Sequence, residues 1–304
     1  MSESKESKGY GADFEHDEDP ESWVLYEKLE GGIARITLNR PHRRNAILSP
    51  DMHFVLADRL AEAHEDDAIK VIVLAGSGED FCSGDDVRRM PVERAGLKKG
   101  SKLPQTARIQ NAVRLDENLR NLLYSSKTII AACQGAVIGA GLNIALAADL
   151  LILADNAYFA RPQARIGFAG FSTAMPLVLL KMGINRGYEA MITGRKVSAT
   201  ELKDWGVANS VVPEAELEDE ALRYAKGIAS HSADGLMIGK HGLQMFWELM
   251  GMSTYGSFVK LAHPLFTNLV WRDDEFNFFR ERNERGAKEA LAELERRWKE
   301  LGFD

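Results

Sequence analysis

Residues 128–149 constrain the fold more than any other stretch of this chain. Thr128-Ile129-Ile130-Ala131-Ala132-Cys133 is a short apolar run rich in β-branched side chains. It is followed by Gly135-Ala136-Val137-Ile138-Gly139-Ala140-Gly141 and an apolar segment ending at Asp149. A short apolar run bounded by turn residues reads as a buried strand. The glycines break it, and the chain restarts as a helix. The first turn of a helix carries N–H groups with no acceptor inside the helix, and such a start suits an anionic oxygen. A second turn of the same kind lies upstream, Phe81-Cys82-Ser83-Gly84-Asp85-Asp86, after the strand-like Val71-Ile72-Val73-Leu74. Two glycine-bearing turns can aim two N–H groups at one oxygen, which is an oxyanion hole.

The surrounding chain alternates strand and helix signals. Two runs, Val24 to Lys28 and Ile33 to Leu38, flank Gly31-Gly32 and read as a hairpin. Ser49-Pro50 reads as a cap and a first-position proline for a helix that turns Phe54, Val55, Leu56 and Leu60 to the core. Helices are expected over 109–123, 173–182 and 187–193, and a buried strand over Leu150 to Ala154. Ser198-Ala199-Thr200-Glu201 is a capping box, its helix stopped at Gly206 before a strand from Ala208 to Val212. From Glu214 the chain reads as helical, ending in one charged helix from about Asp274 to Lys299. Strands alternating with helices, then helices alone, give a layered α/β core with a helical C-terminal part. The expected division is a disordered acidic tail over 1–21, a core over 22–213 and a helical region over 214–304.

With 304 residues, 45% of them hydrophobic, the chain can bury a full core. A net charge of −7 argues against nucleic acid as the main partner. No long uncharged apolar run suggests a membrane span. Met1-Ser2-Glu3-Ser4-Lys5 lacks the basic start and apolar core of a secretion signal. The two cysteines, Cys82 and Cys133, sit in apolar runs and read as buried thiols of a reducing compartment, so a cytoplasmic protein is expected. No cysteine pair has zinc-site spacing, and no metal is expected. Among the seven histidines none pairs as a helical metal motif, and His42, His53 and His64 are expected at the surface. A basic stretch around residues 88–108 (Arg88, Arg89, Arg94, Lys98, Lys99, Lys102, Arg108) is either a solvated face or a receiver of phosphates.

Four segments, in this order, resemble the crotonase superfamily, the enoyl-CoA hydratase/isomerase family. They are Leu38-Asn39-Arg40-Pro41 with Asn45-Ala46-Ile47; Phe81 to Asp86; Gly135 to Gly141 with Ala148-Asp149; and Ile192-Thr193-Gly194-Arg195 with Asp204-Trp205-Gly206-Val207. The resemblance runs from about Val24 to Arg282. It implies a spiral of ββα repeats with a helical C-terminal region that builds homotrimers or dimers of trimers. It implies an acyl-CoA substrate, the CoA carried as part of that substrate and no further cofactor. The oxyanion donors fall on Asp85 and Ala140, set by Gly84, Gly139 and Gly141. Arg44 and Ala46 are placed along the CoA, Arg44 near a phosphate; Asp86 belongs to the same binding turn. Phe279 and Arg282 match a position that reaches a neighbouring subunit's CoA, or they simply pack and solvate a helix.

The chain departs from the family at the two glutamates with which its hydratases activate water. The matching positions are Asn143 and, after Phe159-Ala160-Arg161-Pro162, Gln163. An amide neither takes nor returns a proton at accessible pH, so acid–base assistance of about 10²–10⁴-fold per group is put in doubt. Asp85 either points at the acyl group or caps a helix; Asp149 is structural; Arg161 is a candidate partner for a substrate carboxylate. Arg89 and Tyr124 are further candidates for the acyl pocket, and no acid stands near Phe171-Ser172-Thr173. The segment from Phe246 to Trp271 either caps the pocket or forms core and subunit interface.

Three functions stay open on these residues: enoyl-CoA hydration or isomerisation, decarboxylation or C–C cleavage of an acyl-CoA, and acyl-CoA binding without chemistry. A dinucleotide fold is disfavoured because Ile144 stands where the third small residue of the fingerprint belongs. A serine hydrolase is disfavoured by the lack of a Gly-x-Ser-x-Gly elbow.

Overall fold

The computed structural model describes residues 19–49, 51–88, 105–168, 172–266 and 270–303. The acidic tail over 1–18, Pro50, the basic segment through Arg89, Arg94, Lys98, Lys99 and Lys102, and Phe171 lie outside them.

The chain opens with the expected hairpin, β1 (Val24–Leu29) against β2 (Ile33–Leu38), antiparallel. Then follow α1 (Asp51–Glu65), β3 (Val71–Gly76), α2 (Gln105–Leu123), β4 (Thr128–Cys133), β5 (Ala136–Ile138) and α3 (Ala140–Ala147). Next come β6 (Leu150–Ala154), β7 (Tyr158–Ala160), α4 (Met175–Met182), α5 (Ile184–Thr193), β8 (Val197–Ser198), α6 (Ala199–Asp204) and β9 (Ser210–Val212). The rest is helical: α7 (Leu217–Ala229), α8 (Ala233–Leu249), α9 (Met252–Phe266), α10 (Phe278–Arg285) and α11 (Ala287–Glu300).

Among the described residues the strands form two sheets, β1-β2-β3-β4-β6-β9 and β5-β7-β8. From β2 onward the larger sheet is parallel. Parallel strands are covered on both faces, hence their continuous apolar runs. The two-residue period of the strand then divides each run. Val71, Val73, Ile130, Ala132, Ile152 and Ala154 pack with Leu217, Ala221, Ala225 and Ala229 of α7, while Ile72, Leu74, Ile129, Ala131, Leu151 and Leu153 face the main core. The smaller sheet is prolonged by single bridges, Cys82 to Val137 and Ile47 to Asp85. The chain thus leaves a large-sheet strand, touches the smaller sheet and enters a helix, as in β4-β5-α3. That is the expected ββα spiral, and it stacks the two glycine turns side by side.

Local chemistry agrees with several expectations. Ser198 accepts from the Glu201 N–H, and the Glu201 carboxylate accepts from the Ser198 N–H, completing the capping box. Asp149 accepts from the Ile129 N–H at 2.7 Å and from Lys240 at 2.6 Å, a structural role. Both cysteines are buried and free. Three expectations are corrected. The final helix is two helices, because Gly286 at φ +97° lies between α10 and α11. The buried face of α1 is Met52, His53, Leu56, Leu60 and Ala63, while Phe54 is 44% exposed. His53 is therefore not a surface residue, and His64 is half-buried, bonded to Ser125 Oγ at 2.7 Å. Among the described residues no helix is long and apolar enough to cross a membrane.

Candidate active site

The two glycine turns meet at a cavity walled by α1, α2 and α3. Gly84, Asp85, Gly139, Ala140, Asn143 and Gln163 all line it, together with His53, Arg161 and the apolar side of α2.

The first turn is clamped from both sides. Ser83 N–H donates to Arg44 O (3.0 Å), Ile47 N–H to Gly84 O (2.8 Å) and Asp86 N–H to Ile47 O (3.0 Å), which brackets Asp85. Gly84 has φ +91°, and a Cβ there would stand 2.9 Å from the Ile138 carbonyl and 3.6 Å from the Ala140 nitrogen. A side chain at 84 would thus push the turns apart. In the second turn the Gly139 N–H is spent on Ala160 O (3.1 Å), and the Gly139 carbonyl accepts from Asn143 N–H (3.1 Å). Ala140 is the first residue of α3, so its N–H belongs to the turn that has no acceptor within the helix. Gly141 packs on Cys82: a Cβ at 141 would meet the Cys82 Cβ at 2.5 Å. The Cys82 sulfur accepts from Gly84 N–H at 3.4 Å. Burial pushes this thiol up to about 12, against the N–H groups of Gly84 and Gly141, so it stays neutral between the turns.

The two amide side chains differ in setting. Asn143 Oδ1 accepts from Arg161 Nη1 at 2.8 Å, and the second Arg161 nitrogen donates to Ser172 Oγ at 2.7 Å. A guanidinium on Oδ1 leaves the Asn143 amide to offer its NH₂ donors elsewhere. Gln163 brings Nε2 toward the second turn, 3.3 Å from where a Gly139 Cβ would lie, while its buried Oε1 has no hydrogen-bond partner. Arg161 is 2% exposed. Burial lowers its pKa to about 10, against the pull of Tyr255 and Asp85.

His53 was missed by the sequence reading. It is 7% exposed and lines the cavity, and neither ring nitrogen has a hydrogen-bond partner. Burial lowers its pKa, and the Asp85 carboxylate opposes that shift. A signal existed: His53, Leu56 and Leu60 are spaced i, i+3, i+7, one stripe of a helix.

The remaining candidates lie around this centre. Arg44 is paired with Asp80, Nε to Oδ2 at 2.6 Å, with its side chain 57% exposed. Burial raises the Asp80 pKa, but Arg44 and the Ala136 N–H outweigh it and hold the carboxyl below its usual range. Arg44 therefore braces the entrance to β5. Ala46 is buried next to it at 6%. Asp86 caps its own turn, accepting from the Arg88 N–H and guanidinium at 3.1 Å each. Phe279 is 1% exposed in a cluster with Phe168, Phe278 and Ile166, and Arg282 donates to Val87 O at 2.6 Å, which ties α10 to the end of the first turn. Tyr124 donates to Glu248 and does not line the cavity. Of the segment from Phe246 to Trp271, Val259 lines it. Among the described residues no cluster of His, Cys, Asp and Glu could hold a metal ion.

A layered ββα core thus brings its two glycine turns together at one cavity. The enoyl-CoA hydratase/isomerase family model matches residues 28–250, and the chain belongs to that family. It is 34% identical over 218 residues to mevalonyl-coenzyme A hydratase of Beauveria bassiana, covering 70% of this chain and 75% of that protein. It is 30% identical over 222 residues to 1,2-epoxyphenylacetyl-CoA isomerase of Escherichia coli, covering 72% and 81%. A crystal structure of an enoyl-CoA hydratase/isomerase from Xanthobacter autotrophicus superposes with a TM-score of 0.79 at 26% identity, covering 91% of this chain and 98% of the other. The protein is a hydratase/isomerase-like acyl-CoA enzyme.

Proposed function

We propose that the main-chain N–H groups of Asp85 and Ala140 hold the carbonyl oxygen of an acyl-CoA thioester and stabilise the enolate formed from it. The stacking of Gly84 against the Ala140 nitrogen carries this reading. Each preorganised donor at about 2.7–3.1 Å from the developing oxyanion is worth roughly 3 kcal/mol to the transition state. Asn143 and Gln163 occupy the positions of the family's glutamates. They orient water or an acyl oxygen: Asn143 donates, held by Arg161, and the buried Gln163 Oε1 accepts. Neither moves a proton.

Hydration or double-bond isomerisation of an enoyl-CoA is the reaction that this site supports best. A second reading, decarboxylation or C–C cleavage of an acyl-CoA, draws on the two amides, since departing carbon dioxide generates an enolate without a base. The CoA runs past Arg44 and Ala46, with Phe279 and Arg282 behind it. The core over 22–213 binds it, the helical region over 214–304 builds a homotrimer or a dimer of trimers, and no cofactor is needed beyond the substrate's own CoA. The enzyme works in the cytoplasm.

Incubation with a panel of 2-enoyl, 3-enoyl, malonyl-type and 3-oxoacyl-CoAs, read by mass and by double-bond position, tests this. Gain of water or movement of the double bond is expected. Loss of carbon dioxide or chain cleavage would select the second reading. Absence of both turnover and acyl-CoA binding would end the proposal.

A further inference from the structure

A family site without its carboxylates needs another place to put the thioester α-proton. Three titratable side chains line the cavity among the described residues: His53, Asp85 and Arg161. Arg161 is committed to Asn143 and Ser172 as a cation. Asp85 lies in the first glycine turn, its N–H beside the carbonyl site. His53 reaches the same cavity from α1, 7% exposed, with both ring nitrogens lacking a hydrogen-bond partner. Buried polar atoms are almost always paired, and an exception at a functional cavity points to a ligand that completes it. His53 and the two glycine turns line one cavity, so a thioester held at those turns shares that cavity with the imidazole.

We infer that His53 is the general base of this enzyme, taking the α-proton of the bound thioester and returning it to the product. The inference rests on the oxyanion reading above. The imidazole lone pair takes the proton and the C–H electron pair moves into the thioester carbonyl. The resulting enolate oxygen is held by the Asp85 and Ala140 N–H groups. The imidazolium then returns its proton to carbon, and no oxidant, reductant or metal enters.

The electrostatics agree with that role. Burial lowers the His53 pKa, so the ring is neutral and basic at neutral pH. The Asp85 carboxylate favours the imidazolium and stabilises it once formed. The neighbouring elements add little charge. α2 turns Leu115, Asn118 and other neutral side chains to the cavity, and α3 presents Ala140, Asn143 and Ile144. Arg161 is the remaining charged side chain that lines the cavity among the described residues, bonded to Asn143 and Ser172.

The test is α-hydrogen exchange of butanoyl-CoA in D₂O, read as deuterium gain by mass, with binding measured separately by calorimetry. The wild-type chain is expected to bind butanoyl-CoA and to exchange its α-protons, with a rate that falls in acid along one limb below about pH 6.5. His53→Gln should bind within a few-fold of wild type and exchange at least about 10²-fold more slowly. His53→Ala should recover part of the rate with added imidazole, which a structural role would not produce.

Undiminished exchange in His53→Gln would overturn the assignment. So would wild-type protein that binds butanoyl-CoA without exchanging it. Wild-type protein that does not bind the thioester would overturn the oxyanion reading itself, and this assignment with it.

Discussion

Gly84 is the position where one atom decides the site. Its φ of +91° strains any other residue, and a Cβ would meet the Ile138 carbonyl, which is backbone and cannot swing aside. Gly84→Ala is expected to lower kcat/KM by about 10²–10³-fold through misaimed donors, with the circular dichroism spectrum unchanged. Asn143→Glu with Gln163→Glu tests the amides: the double variant is expected to gain hydration of crotonyl-CoA over the native chain in an ultraviolet assay. The histidines set an acid limit on stability. Burial lowers the pKa of His53, and burial with Lys127 and Lys240 lowers that of His64. The unfolded chain then binds protons that the folded chain refuses as pH falls through about 6.5. Stability is full above that value and declines below it. His53→Gln with His64→Gln should flatten the fall in melting temperature between pH 7 and 5.5. The glycines were legible because turns demand them. His53 was not, because the run Phe54-Val55-Leu56 draws the eye to a stripe one residue off. Phe54 instead lies outside, with the Arg114 guanidinium 5.5 Å from its ring centroid.

At the scale of elements, the close pairing of α2 with α9 walls the cavity. Asp116 of α2 is fully buried, 2.8 Å from Lys260 of α9 and 3.3 Å from Arg120. Gly256 is needed opposite, since a Cβ there would approach Asp116 Oδ1 to 2.8 Å. Removing one partner of a buried pair is costly, but both cations keep some solvent, so Asp116→Ala should destabilise by about 3 kcal/mol, the low end for such a loss. Urea unfolding measures it. Elements with local signals were readable in the sequence: the Gly31-Gly32 hairpin, the Ser198 capping box and the glycine turn of α3. The break at Gly286 was hidden, because charged residues continue on both sides and a single glycine also occurs within helices. Likewise, nothing in the local sequence of α9 states that its partner is α2, more than a hundred residues away.

For the whole molecule, strand–helix alternation made the α/β core legible, and the order of four motifs carried the spiral. The expected assembly rests on the resemblance alone. The exposed faces of α8 and α9 carry Leu243 (76% exposed), Leu249 (80%), Leu261 (69%) and Leu265 (73%), candidates for a subunit interface. Light scattering should give about three or six times the chain mass of 33.8 kDa. Leu249→Lys with Leu261→Lys should shift that toward the monomer. The proposed centre is the pair of N–H groups of Asp85 and Ala140 at the meeting of the two turns. Isotope-edited infrared spectroscopy of butanoyl-CoA carrying ¹³C at the thioester carbonyl addresses that centre directly. Two donors on the oxygen should move the bound carbonyl band to lower frequency than in water, with the shift lost in Gly84→Ala. A bound carbonyl band unmoved from its aqueous position would contradict the account.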